Sequence, residues 1–356
     1  MSSAPLSSRP SVGLASLAPK ENLQPWSFTR RALRPSDVAI RTLFCGVCHS
    51  DLHAIKDGWA GEYPIVPGHE LMGVVTAVGE AVVNFKVGEE VLIGNIVDSC
   101  RRCQPCLEKM ESYCREYPTL TYDGKDRIDG TRTRGGLSDT YIADEAFVYH
   151  LPKGMDPAAA APLLCAGITV FSPLRHWGAG PGKVVGVIGI GGLGHLAIKI
   201  ARAMGAHVVA FTTSEGKVKE ALRLGAHEAV LSTDAAAMSA QAYRIDLFID
   251  TVARTYAMDP YLNALKLDGV LCSLGIPDKF DFKPLLLTLG RRSIASSGSG
   301  GTRETQEMLD FCQQHGIVSE IEMVTPEGLD GAFQRLAKGD VRYRFVLDLR
   351  NGIKLS

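Results

Sequence analysis

The segment 184–211 constrains the fold more than any other part of the 356-residue chain. Val184-Val-Gly-Val-Ile188 reads as a short buried strand that runs into Gly189-Ile190-Gly191-Gly192-Leu193-Gly194. An amphipathic helical pattern follows and ends near Gly205, and His207-Val-Val-Ala-Phe211 reads as a second strand. Strand, glycine turn, helix and strand make one βαβ unit, which requires parallel strands joined by a crossover helix. Leu247-Phe-Ile249 and Val270-Leu-Cys-Ser-Leu274 continue the alternation as later strands. The implied architecture is α/β, a doubly wound parallel sheet of Rossmann type.

A bare glycine fingerprint is weak, but a strand before it and a helix after it supply the context that a dinucleotide turn needs. Gly191 lets the backbone approach a pyrophosphate, which the helix N-terminus then holds. An ordinary strand–helix turn without a ligand remains the alternative. Where an NAD-binding chain places an acid after its second strand, this one has Phe211-Thr212-Thr213-Ser214, then Glu215 and Lys217. Hydroxyls and a cation suit a 2′-phosphate, which favours NADP over NAD.

From Asp37 to Pro152 the texture differs. Gly68, Gly73, Gly79, Gly88 and Gly94 punctuate short Val- and Ile-rich runs, as in a small barrel of short strands. Beyond Gly301 a helix is expected over Glu304–Gln314, with short strands after it that include Arg344–Leu347. The length suits two domains at ~150 residues each. A net charge of -1 supplies no general attraction to nucleic acid or anionic lipid. The longest apolar run, Ala158–Phe171, is broken by Pro162 and is too short to span a bilayer. The Ser-rich, acid-free Met1–Lys20 has only Arg9 and Lys20 as cations and no amphipathic period, so it makes a poor transit peptide. A reducing cytoplasm is the expected location.

Cys100-x2-Cys103-x2-Cys106-x7-Cys114 places four thiols in one polar loop. Soft sulfur ligands at this spacing suit a closed tetrahedral zinc, and Arg101, Arg102, Lys109 and Arg115 offset part of the thiolate charge. Unrelated thiols fit a polar segment poorly, and iron–sulfur runs are spaced differently. A second set is dispersed: Cys45-Gly-Val-Cys48-His49-Ser50-Asp51-Leu-His53, then Pro67-Gly-His69-Glu70, then Cys165 in an apolar run. Together these offer two thiolates, an imidazole and a carboxylate, the ligands of an open catalytic zinc, with Asp51 able to orient the imidazole. Spacing alone leaves them equally readable as core residues.

Taken in order, these motifs resemble the zinc-dependent medium-chain alcohol dehydrogenases, and within them the cinnamyl alcohol dehydrogenase group. Ala161-Pro-Leu-Leu-Cys-Ala-Gly-Ile-Thr169, Gly189–His195 and Asp340-Val-Arg-Tyr-Arg-Phe-Val346 carry the likeness, which runs from about residue 25 to 350. Ser172-Pro-Leu-Arg-His-Trp177 and Ala210–Ser214 look closest to bacterial NADPH-dependent aldehyde reductases of broad specificity.

The resemblance implies a discontinuous GroES-like β-barrel catalytic domain, residues 1–156 and 299–356, around an NADP-binding Rossmann domain, 157–298. It implies two zinc ions per chain. Cys48, His69 and Cys165 match ligands of the catalytic zinc and Glu70 the exchanging carboxylate; Cys100, Cys103, Cys106 and Cys114 match the structural zinc. Ser50 and His53 match a proton relay that passes through the cofactor ribose. Thr212, Thr213, Ser214 and Lys217 match the NADP-ribose region. Gly189, Gly191, Gly192, Leu193 and Gly194, with Thr169, Thr251, Gly275 and Gly298, match the rest of the cofactor path. The implied activity is reversible reduction of small or aromatic aldehydes to primary alcohols by a homodimer, with no nucleic-acid or membrane partner. Two aromatic positions of the plant pocket are lost here, at Leu120 before Thr121-Tyr122 and at Gly298; Trp59 is a possible replacement. The rival readings are reduction of an activated alkene or iminium on the same fold, or a non-catalytic zinc- and nucleotide-binding redox sensor.

Overall fold

The computed structural model describes residues 8–56 and 61–355, so Trp59 lies outside the described residues. The chain divides into two compact units. One comprises the chain up to Cys165 together with the segment from Gly301 onward; the other is Ala166–Gly300.

The Ala166–Gly300 unit is built on a six-stranded sheet. Its order is Glu228–Leu231, His207–Thr212, Val184–Ile188, Ile245–Asp250, Leu265–Ser273 and Ser293–Ser296, and every pairing is parallel. This is the doubly wound order, third-second-first-fourth-fifth-sixth along the chain. The strands are Val-, Ile- and Leu-rich because helices cover both faces of such a sheet. Helix Gly194–Ala203 buries Leu196, Ala197, Ile198, Ile200 and Ala201. It stops where Gly205 takes φ +90°, a left-handed turn in which glycine carries no Cβ penalty.

The other unit centres on the eleven-residue strand Asp37–Val47. One edge pairs with Leu71–Val78, and two irregularities in that ladder bend the strand. The opposite edge is shared: residues 37–41 pair with Thr140–Asp144, and residues 44–47 pair with Arg344–Asp348. Glu90–Ile93, Val148–His150 and Ile321–Val324 complete this seven-stranded sheet. The C-terminal strand thus closes a sheet begun three hundred residues earlier, which makes the unit discontinuous.

The units part at 165/166 and 300/301, against the 156/157 and 298/299 read from the sequence. The first difference has a packing cause. Pro157–Ala160 and the turn Ala161–Leu164 bury their apolar side chains on Asp37–Val47, Leu71–Val78 and Glu90–Ile93, so they belong to the barrel-like unit. Among the described residues no single helix is long and apolar enough to cross a membrane.

Candidate active site and metal centres

The central strand ends at Val47, and two of its three antiparallel partners begin there. Cys48 therefore follows the end of one strand, His69 and Glu70 precede the start of a second, and Arg344 opens a third. The Gly46 amide donates to the Glu70 carbonyl at 2.9 Å. A Cβ on Gly46 would fall 1.9 Å from Glu70 Oε2, so only glycine lets that carboxylate lie flat on the strand. The turn Ala161–Leu164 brings in Cys165, whose Sγ is 3.9 Å from Cys48 Sγ. One ligand atom each from Cys48, His69, Glu70 and Cys165 lies within 4.8 Å of the others.

Asp51 organises this cluster. It is fully buried on helix His49–Lys56. Its Oδ2 accepts the Cys48 amide at 2.9 Å, and its Oδ1 accepts the Gly68 amide at 2.9 Å. His69 Nδ1 is 3.2 Å from Oδ1; a carboxylate only accepts, so Nδ1 carries the proton and Nε2 turns its lone pair inward. Burial opposes a positive imidazole, yet Asp51 and the Cys48 sulfur raise His69 well above its ordinary value, the mark of a pocket that favours a cation. The Cys165 thiol beside it holds Cys48 well below the ordinary thiol value, while Cys48 and burial push Cys165 up. Burial raises the Glu70 carboxyl, and Arg344, in buried contact with Glu70 Oε1, pulls it back.

The donors fit zinc. At ~2.3 Å per Zn–S bond, two sulfurs of a tetrahedral site lie ~3.8 Å apart, whereas a disulfide requires ~2.05 Å. The observed 3.9 Å matches the former. The same test holds in the loop after Asp98. Cys100 and Cys106 sulfurs are 3.9 Å apart, Cys103 and Cys106 are 3.4 Å apart, and all four thiols lie within 4.8 Å. Backbone amides of Cys100, Cys103 and Arg115 point at sulfurs of Cys114, Cys100 and Cys103 at 3.3–3.5 Å, the donors a thiolate cluster needs. Buried Glu111 anchors the lobe by accepting from the Thr302 amide at 2.9 Å and the Thr302 hydroxyl at 3.1 Å. The first set combines two thiols, an imidazole and a carboxylate; the second is four thiols. A cavity of about 510 Å³ beside Cys100–Arg102 holds Arg31, Arg34, Arg101, Arg102 and Arg127, but each is paired with a carboxylate, so its charge is internally balanced.

Ser50 lies in the first turn of helix His49–Lys56, with Oγ 3.7 Å from Cys48 Sγ, and His53 follows one turn later on the same face. In the other unit the residues expected along the cofactor gather at the carboxyl ends of the parallel strands. Gly189 follows Val184–Ile188, Thr212 to Ser214 close His207–Thr212, Thr251 follows Ile245–Asp250, Gly275 follows Leu265–Ser273, and Gly298 follows Ser293–Ser296. Thr169 lies on helix Ala166–His176. That end of an open α/β sheet is where ligands bind. Gly189 takes φ +86°; Gly191 faces open space; a Cβ on Gly194 would fall 2.0 Å from the Gly189 carbonyl oxygen. Some of these side chains are already engaged. Thr212 Oγ1 accepts the Ser214 amide at 3.1 Å, Thr251 Oγ1 donates to the Ile188 carbonyl at 2.8 Å, and Lys217 Nζ donates to the Ile190 carbonyl at 2.8 Å.

Within Asp340–Val346, spacing alone gives Arg344 no role. A cation inside the apolar run Tyr-Arg-Phe-Val-Leu was the available signal, since such a residue is buried only when paired. Tyr122, whose ring lies 5.7 Å from that of His69, was likewise left without one.

Two family models match the chain: the alcohol dehydrogenase GroES-like domain over residues 34–153 and zinc-binding dehydrogenase over 192–314. Aldehyde reductase YahK of Escherichia coli is 49% identical over 335 residues, 93% of this chain and 96% of its own. The cinnamyl alcohol dehydrogenase SbCAD4 of Sorghum bicolor superposes with a TM-score of 0.94 at 42% identity, covering 98% of this chain and all of that one. A cinnamyl alcohol dehydrogenase of Helicobacter pylori complexed with NADP(H) gives 0.90 at 36% identity, covering 97% and 99%. With this sheet order, these two cysteine-bearing sites and these likenesses, the chain belongs to the zinc-binding medium-chain alcohol dehydrogenases, in the cinnamyl alcohol dehydrogenase group, and is an oxidoreductase.

Proposed function

We propose that this enzyme reduces aldehydes to primary alcohols with NADPH, reversibly, at a zinc held by Cys48, His69 and Cys165 with Glu70 in reserve. The observation that carries the reading is the convergence of those four side chains, with Ser50 against Cys48, at one end of Asp37–Val47. Zinc supplies Lewis acidity and NADPH a hydride when bound. The chain's own residues do the rest. Asp51 fixes the ring of His69 through Nδ1. Ser50 donates a proton to the oxygen that becomes the alcohol, and His53, one turn along the helix, restores it from solvent. Cys100, Cys103, Cys106 and Cys114 hold a second, structural zinc. Thr213, Ser214 and Lys217, with no acid at the strand end, support a preference for the 2′-phosphate of NADPH. The NADP(H) complex of the Helicobacter relative and the name of the Escherichia coli one support the same reading.

A reducing, cytoplasmic setting is part of this reading. The open edge Ser293–Ser296 lies close in sequence to the exposed apolar residues Ile276, Phe280, Leu285 and Leu289, which supports a homodimer through that face. Steady-state rates over a panel of aldehydes and alcohols, with NADPH and NADH and with zinc content measured, test the activity. No aldehyde-dependent NADPH oxidation by zinc-loaded protein would reject it.

A further inference from the structure

The carbonyls of the glycine turn are tied back one after another. Ile188 accepts from the Thr251 hydroxyl at 2.8 Å, Ile190 from Lys217 Nζ at 2.8 Å, and Gly191 from the His195 amide at 3.0 Å. His195 Nδ1 also lies 3.1 Å from the Gly191 carbonyl oxygen. That oxygen can only accept, so Nδ1 carries the hydrogen. The ring is fully buried in the first turn of helix Gly194–Ala203, where an apolar side chain would fill space at no polar cost. A trans peptide unit is planar, with its C=O and N–H pointing in opposite directions. The His195 amide and ring together hold the Gly191 carbonyl along the helix, which turns the Gly192 N–H the opposite way, out of the helix N-terminus; Gly191 itself has open space where a side chain would stand. Lys217 does the same for the Gly191 N–H through Ile190.

We propose that His195 is a positioning residue of the nucleotide site, holding the Gly191 carbonyl so that the Gly192 N–H faces the cofactor pyrophosphate. The proposal rests on the NADPH reading above. It assigns to a buried side chain outside the 2′-phosphate region the task of preparing the turn before the cofactor arrives, which lowers the ordering cost of binding.

The test uses the full-length, zinc-loaded enzyme with His195→Leu and His195→Asn. NADPH binding is read by fluorescence titration, and adenosine 2′-monophosphate, which has no pyrophosphate, by calorimetry. One net hydrogen bond lost should weaken NADPH about fivefold in the leucine variant. Adenosine 2′-monophosphate should bind as in wild type. Asparagine, whose amide nitrogen stands near the Nδ1 position, should recover most of the loss. Turnover at saturating NADPH should hold while the KM for NADPH rises. Wild-type NADPH affinity in the leucine variant would overturn the proposal, as would equal loss of both ligands or an asparagine variant no better than leucine. If leucine does not fold, His195→Phe supplies the donor-free ring for the same comparison. A wild-type enzyme that fails to bind NADPH overturns the cofactor reading and this proposal together, and is distinguished from a loss confined to the variants.

Discussion

Replacing Arg344 by Met should expose how the metal-site carboxylate is held. Glu70 is fully buried and Arg344 is 5% exposed, with one Glu70 oxygen in contact with the guanidinium. The methionine keeps most of the side-chain volume but removes the counter-charge. Breaking a buried pair from one side costs ~3–5 kcal/mol, because the remaining charge has neither solvent nor partner. Burial already pushes the Glu70 carboxyl up against the pull of Arg344, so in the variant it takes up a proton and relieves part of that cost. We therefore expect a loss of about 3 kcal/mol at pH 7, a fall in Tm of roughly 4–6 °C. The deficit should shrink as the pH falls, because an acid with a raised folded-state pKa is less destabilising once protonated. Glu70→Gln combined with Arg344→Met should be little worse than Glu70→Gln alone, giving a coupling of at least ~2 kcal/mol. Urea unfolding of the four proteins after the Cys48–His69–Cys165 site has been emptied by mild chelation, with zinc content checked on each, completes the cycle. Additive single effects, within ~0.5 kcal/mol, would show that the contact carries no energy of its own.

Mild chelation should abolish activity before it unfolds the protein, because one zinc site must admit substrate while four thiols close the other; metal analysis finding a single zinc, bound only at Cys48, His69 and Cys165, would remove the structural site. Ser50→Ala should lower turnover ~10²–10⁴-fold with zinc retained, and His53→Ala less, since water replaces an outer relay member; near-full activity in the zinc-loaded Ser50 variant would refute the proton route. Lys217→Ala should raise the KM for NADPH more than that for NADH, with a smaller effect on NADH because the same ammonium holds the Ile190 carbonyl; equal kcat/KM for both cofactors in the wild type would contradict the 2′-phosphate assignment. Burial pushes buried Asp250 up from 3.8 to about 6, against the pull of the Val252 amide and the Tyr256 hydroxyl. The folded state then holds that proton more tightly, so this group lowers stability as the pH rises from about 4 to about 6, by an amount on the order of 3 kcal/mol. Urea midpoints across that range should rise less steeply with acidification for Asp250→Asn, and parallel curves would exclude the effect.

Features whose partners lie close along the chain were readable from the amino acids alone. Cys100 to Cys114 fall within fifteen residues, so a short loop brings the thiols together whatever surrounds it. The run from Val184 to Phe211 carries its own strand, turn and helix, and two glycines of the turn meet local demands: Gly189 takes φ +86° and Gly194 lies against the Gly189 carbonyl. Together with the later strands, that pattern implied a doubly wound sheet, and the parallel six-stranded order agrees. The second cysteine set was different. Cys48, His69, Cys165 and Arg344 span almost the whole chain, and no local spacing favours ligands over core residues. They meet because Asp37–Val47 takes antiparallel partners from residues 71–78 and 344–348, both starting where it stops. Register between distant strands is set by the packing of both faces and by bulges, which a short motif does not encode. The same reason hid the donors behind the glycine turn. Thr251 and Lys217 reach its carbonyls from neighbouring strands and helices, and only the tertiary structure decides where a flexible ammonium or a threonine hydroxyl points.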